Sequence, residues 1–112
     1  MTVSQAVKAL GLTLLCGDGE RDITGVYVGD LLSRCMSRVE EGNLWITIMS
    51  NINIIAVASL ADVACVVLAE NVPVEADVVA TATAKGVTLV RSAEPTFTLC
   101  KRIGDLLSGD GV

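Results

Sequence analysis

The sequence has no histidine among its 112 residues, and that absence removes a good deal of chemistry. Ser-His-Asp and Cys-His nucleophiles, zinc sites of the imidazole type and the usual near-neutral proton shuttle all need it. Aromatic residues are nearly missing too: Tyr27, Trp45 and Phe97 are the whole set. With 13 acidic against 8 basic side chains, a basic groove with stacking rings is not expected, and no nucleic-acid partner with it. The four cysteines, Cys16, Cys35, Cys65 and Cys100, form no C-x-x-C pair, so neither a metal site nor a redox motif has a local basis. Each sits among apolar neighbours, as in Ala64-Cys65-Val66, and reduced core thiols are expected. Lys8 interrupts a short, mostly polar start unlike a secretory leader, so a cytoplasmic location is expected. No long uncharged apolar run exists either. Ile52 to Ala69 contains Asn53, Ser59 and Asp62 and lacks flanking Lys or Arg, which predicts a buried helix and strand rather than a membrane span.

What is present is 52% hydrophobic, and its pattern alternates helix and strand. Thr2-Val3-Ser4-Gln5 offers a capping box, Val3, Val7 and Leu10 follow at helical spacing, and Gly11 is a natural stop. Leu12 to Cys16 and Val26 to Val28 predict short strands, joined through the turn residues Gly17-Asp18-Gly19. From Asp30, the residues Leu31, Leu32, Cys35, Met36 and Val39 share one helical face. A strand over Leu44–Ile48 leads to the helix Ile54–Leu60, which is apolar all round and so should be covered on all sides, by the fold or by a second subunit. Ala64–Leu68 predicts a parallel strand covered on both faces. A helix begins at Glu75 and Asp77 with Val78, Val79 and Ala82 inward, and Val87–Val90 predicts the last strand. The final helix starts at Pro95, with Phe97, Cys100, Ile103 and Leu107 on its buried side. The sum is one α/β domain over residues 1–112: three layers, α/β/α, around a mainly parallel sheet of about five strands.

Motifs that carry chemistry are few. Gly17-Asp18-Gly19 lacks the third glycine of a dinucleotide loop, and no G-x-x-x-x-G-K-[ST] occurs. Asp18 to Asp22 loosely resembles a calcium loop, but Ile23 and Gly29 stand where its glycine and chelating glutamate belong. No nucleophile, activating base and oxyanion site assemble, so no catalytic residue, metal or cofactor is expected. In open α/β sheets ligands settle outside the carboxyl ends of strands, against helix amino ends. That rule points to Gly29-Asp30, Ser50-Asn51-Asn53, Glu70-Asn71 and Ser92-Thr96, with Arg21 and Arg91 the few cations nearby. The candidate ligand-binding residues are Arg21, Thr24, Asp30, Asn51, Asn53, Ser92 and Thr96. The same short polar side chains are also what ordinary helix caps prefer.

The run Glu20-Arg21-Asp22-Ile23-Thr24-Gly25-Val26-Tyr27-Val28-Gly29-Asp30-Leu31-Leu32-Ser33 resembles the DRTGG domain in its stand-alone bacterial form. Gly42-Asn43-Leu44-Trp45-Ile46-Thr47 and Asn53-Ile54-Ile55-Ala56-Val57-Ala58 extend the likeness. Glu20 replaces the motif's aspartate and Val26 its second glycine, and Ala69-Glu70-Asn71-Val72-Pro73 lacks a glycine pair before the proline. The resemblance implies an α/β/α regulatory domain like the N-terminal domain of HPr kinase/phosphorylase, without kinase activity. It also implies a homodimer, as does a mean hydropathy of +0.62 in a chain with no membrane span. Two functions are expected from it. The first is a non-catalytic sensor of a nucleotide or small phosphorylated metabolite. The alternative is an accessory protein of an iron-hydrogenase or other redox complex, without a small-molecule ligand.

Overall fold

Thr2 and Gln5 make both bonds of the capping box: the Gln5 amide donates to Thr2 Oγ1 and the Thr2 amide to Gln5 Oε1. They start α1 (Val3–Leu10), which ends at Gly11 in the left-handed conformation. In the computed structural model, which describes residues 1–109, the chain then runs β1 (Thr13–Cys16), β2 (Gly25–Val28), α2 (Leu32–Arg38), β3 (Asn43–Thr47), α3 (Ile52–Ala61), β4 (Cys65–Leu68), α4 (Ala76–Lys85), β5 (Leu89–Arg91) and α5 (Thr96–Ser108). The last three positions of the expected 1–112 domain lie outside the described residues.

The strands form one five-stranded sheet in the order β1-β5-β4-β3-β2. The β2–β3, β3–β4 and β4–β5 pairs are parallel, and β1 joins β5 antiparallel. Because β2 to β5 add in one direction, their right-handed crossovers place α2, α3 and α4 on the same face. There Cys35, Ile54, Ile55, Ala58, Val78 and Ala82 pack on Trp45, Val66, Leu68 and Leu89. On the other face α1 and α5 bring Val3, Leu10, Leu99 and Ile103 onto Leu44, Ile46, Cys65, Val67 and Val90. Every residue of β3 and β4 is therefore buried, as expected of strands covered on both sides.

Four expectations about packing change. Asp30 does not open α2, which begins at Leu32 without a side-chain cap. The Asp30 carboxylate instead accepts from Thr47 Oγ1 and the Ile48 amide, both at 2.8 Å, and ties the ends of β2 and β3 together. Leu31 and Met36 are exposed, since α2 lies at the sheet's margin and only its Cys35 side reaches the core. The fold does not wrap α3. Ile54, Ile55 and Ala58 face the sheet, but among the described residues no further layer covers the opposite face, and Leu60 is 88% exposed. Phe97 is also exposed, because the buried stripe of α5 centres on Leu99 and Ile103, and Phe97 lies about 200° from Leu99 at 3.6 residues per turn. The last strand is also shifted, to Leu89–Arg91.

Two features of the core generate predictions. Burial pushes the Cys65 thiol up to about 12, against 9.0 for the free group. The native state thus holds this proton more tightly than the unfolded state, so the contribution is intact below pH 9 and is lost as pH rises toward 12. Across that window wild-type stability falls by up to ~1.4 kcal/mol per pH unit more than that of Cys65→Ala. Urea titrations of both proteins at stepped pH measure the difference. Gly17, at φ +98°, leaves no room for a side chain, since an added Cβ would lie 2.7 Å from Thr88 Cα. Gly17→Ala lowers stability by roughly 1–3 kcal/mol, read from the same denaturation midpoint.

Candidate functional site

The carboxyl ends of β3 and β4 lead into the amino ends of α3 and α4, which pack side by side on one face of the sheet. Between them lies a cleft of about 400 Å³ lined by Ser50, Asn51, Ile52, Pro73, Glu75, Asp77 and Val78. The strand order does not reverse at this point, so the crevice lies between two helices on one face and not at a change of winding direction. Asn51 is the N-cap of α3, and its Oδ1 accepts from the Asn53 amide at 2.9 Å. The Asn51 amide nitrogen points no bond elsewhere among the described residues, and the Asn53 side chain is exposed. Glu75 and Asp77 flank the start of α4, so one wall of the cleft is acidic. Uncapped amides of α4 lie at the same wall, since its N-cap Glu75 makes no side-chain bond.

The other predicted residues distribute over three places. Ser92 follows β5 and is buried, with Oγ accepting from the Glu94 amide at 3.1 Å. Thr96 is the first residue of α5, on the opposite layer from α3 and α4. Its amide and its hydroxyl both donate to Glu70 Oε2, at 3.3 and 2.7 Å. A carboxylate from the β4–α4 loop thus occupies the amino end of α5, where an external anion would otherwise bind. Glu94 beside it is ion-paired with Arg102. The Glu70 interaction joins residues 26 positions apart, and nothing local in the sequence signals it. Glu70 and Asn71 both adopt the left-handed conformation, at φ +62° and +52°, so this loop keeps a glycine-like turn without glycine. Backbone bonds from their amides to Glu94 O and Ser92 O, both 2.8 Å, hold it.

Arg21 and Thr24 lie at the far end of the sheet, before β2 and β3 begin. Arg21 donates to the Asp62 carboxylate at 2.9 Å and to its carbonyl at 3.1 Å, and Thr24 Oγ1 donates to Glu41 O. They line a separate, acidic cleft with Glu20, Asp22 and Glu41. The structure therefore brings together Asn51 and Asn53, places Asp30, Ser92 and Thr96 at the same sheet end in structural bonds, and separates Arg21 and Thr24 from all of them. Ser50, Glu75 and Asp77 complete the cleft, which the sequence treats as loop and helix-start residues. Among the described residues no group of three His, Cys, Asp or Glu side chains is placed to hold a metal, and no helix is long and apolar enough to cross a membrane. The four cysteines are free thiols. Burial raises Cys35, helped by the Asp30 charge, and also raises Cys100.

The fold is shared with the crystal structure of the CBS and DRTGG domains of the regulatory region of Clostridium perfringens pyrophosphatase, complexed with its activator diadenosine tetraphosphate. The match has a TM-score of 0.71 at 14% sequence identity, over 91% of this chain and 45% of that one. This chain therefore spans less than half the length of that regulatory region. No curated protein matches the sequence. The model of the DRTGG domain matches residues 5–106, nearly the whole chain, and the chain belongs to the DRTGG domain family.

Proposed function

We propose that this DRTGG domain is a non-catalytic regulatory module that senses a nucleotide or a small phosphorylated metabolite in the α3/α4 cleft. The observation that carries this reading is the cleft itself, at the carboxyl ends of two doubly buried strands, with an asparagine cap and two helix amino ends converging on it. The Glu75 and Asp77 wall favours hydroxyl and amino donors, such as those of a ribose and base. Phosphates would lie away from it, toward the amino end of α3. The Clostridium perfringens regulatory region, which binds a dinucleoside polyphosphate activator, supports this ligand class. The amino end of α5 is filled by Glu70, which makes the α3/α4 cleft the better place. The alternative, an accessory subunit of a redox complex without a small ligand, has no feature of the site in its favour.

The domain also works as a homodimer in this proposal. The exposed face of α3 carries no charged residue over Ile52–Ala61, so two copies of a chain with net charge −5 can approach there. Leu60 stands at the lip of an apolar groove of about 350 Å³ lined by Met36, Val39, Ala56, Val57 and Ala61, which offers a self-complementary contact.

Two experiments test these statements. In a thermal-shift panel of nucleotides and small phosphorylated metabolites at millimolar concentration, at least one raises Tm, by the linkage RT ln(1 + [L]/Kd). Asn51→Asp keeps an N-cap oxygen but adds a negative charge to the cleft, and weakens that ligand about tenfold or more while leaving the free protein's Tm nearly unchanged. No stabilisation by any compound of the panel overturns the sensing role, and undiminished binding by Asn51→Asp overturns the α3/α4 cleft as its site. Light scattering at micromolar concentration reports a dimer for the wild type and a monomer for Leu60→Asp. A monomeric wild type ends the second proposal.

A further inference from the structure

We propose that the free edge of β2 is a docking strand for an extended segment of another protein in which apolar residues alternate with carboxylates. The two edges of the sheet are built differently. On the β1 side the register shifts between Leu14 and Cys16, an irregularity that blunts an edge against further pairing. On the β2 side four consecutive residues, Gly25 to Val28, pair with β3 without a break, and β2 carries no charge or proline. No further strand lies outside it among the described residues. Its outer N–H and C=O groups are thus a regular template for one more strand.

Chemistry on the two faces of that edge selects the occupant. Val26 and Val28, 41% and 44% exposed, are in register with Leu44 and Ile46 and so stand on the α1/α5 face, beyond the cover of those helices. On the other face Tyr27 packs under α2, the helix that crosses from β2 to β3. Met36 of α2 and its C-cap Val39 line the groove with α3, and at 3.6 residues per turn Arg34 and Arg38 fall on the opposite flank from Met36, beside the edge. Both arginines are exposed and make no ion pair among the described residues. A strand added to β2 presents alternate side chains to these two faces: apolar ones beside Val26 and Val28, acidic ones beside Arg34 and Arg38. A second copy fits less well, because two-fold pairing of β2 with itself sets Arg34 and Arg38 of one α2 against those of the other.

The experiment uses the full chain and two labelled synthetic peptides, one alternating valine with glutamate and one alternating valine with lysine. Fluorescence anisotropy shows the glutamate peptide binding, the lysine peptide at least tenfold weaker, and Arg34→Glu/Arg38→Glu reversing the order. Hydrogen exchange at Gly25–Val28 slows on binding in the wild type, and Val26→Lys/Val28→Lys loses both binding and protection. Retained Trp45 fluorescence shows that each variant is folded. Equal affinity for the two peptides, or protection elsewhere than β2, overturns the proposal. So does protection of β2 that rises with protein concentration alone, which would make a second copy the occupant.

Discussion

The pairing of β3 with β4 is the constraint from which the rest of the structure follows. Leu44, Trp45, Ile46 and Thr47 meet Cys65, Val66, Val67 and Leu68 in register, and all eight are buried. Strands this apolar on both faces need helices above and below, which dictates three layers. Trp45 adds a bond out of that centre, its indole N–H donating to Gly29 O at 3.3 Å, and so fixes the chain just past β2. The Asp30 carboxylate secures the same corner from the other side, through Thr47 and Ile48. With the sheet interior closed to polar groups, every hydrogen-bonding side chain that could meet a ligand is pushed to the strand ends or the sheet margins.

At those ends the molecule distinguishes positions that are used internally from positions left open. The amino end of α5 receives the Glu70 carboxylate, and Ser92 turns back on Glu94. Arg21 is spent on Asp62, at the opposite end of the sheet. Asn51 caps α3 with one side-chain atom and still faces a cleft. The margins show the same contrast. The β1 edge is irregular, whereas the β2 edge is regular, uncharged and flanked by Arg34 and Arg38, which make no ion pair among the described residues. The exposed face of α3, with Leu60 near its carboxyl end, is a third open surface. The surfaces proposed for a ligand, a second copy and a partner strand are therefore lined by different residues.

Much of this was legible in the residues. The capping box at Thr2 and Gln5, the stops at Gly11 and Gly86, and the order of ten elements all follow from local signals. The failures share one cause. Phe97, Met36 and Leu31 are apolar, but hydrophobicity alone does not say which side of a helix the sheet covers. Asp30 sits where a helix cap belongs and serves as an interstrand clamp instead, because a bond to Thr47 across 17 positions outweighs a local one. Candidate site residues suffered most, since short polar side chains at strand ends look alike whether they bind a ligand, a helix end or each other.

By itself the sequence determined the alternation of helix and strand, the doubly buried central strands, the absence of imidazole chemistry and the family motif. These depend on neighbours a few positions apart, where spacing sets the period and residue type sets burial. The tertiary structure alone decided that Arg21 and Thr24 stand away from Asn51, that Glu70 fills the start of α5, and that α3 keeps an uncovered face. It also decided which edge of the sheet remains open. Each of these follows from how the crossovers stack elements distant in the chain, and a crossover's placement is a property of the assembled sheet rather than of any local run of residues.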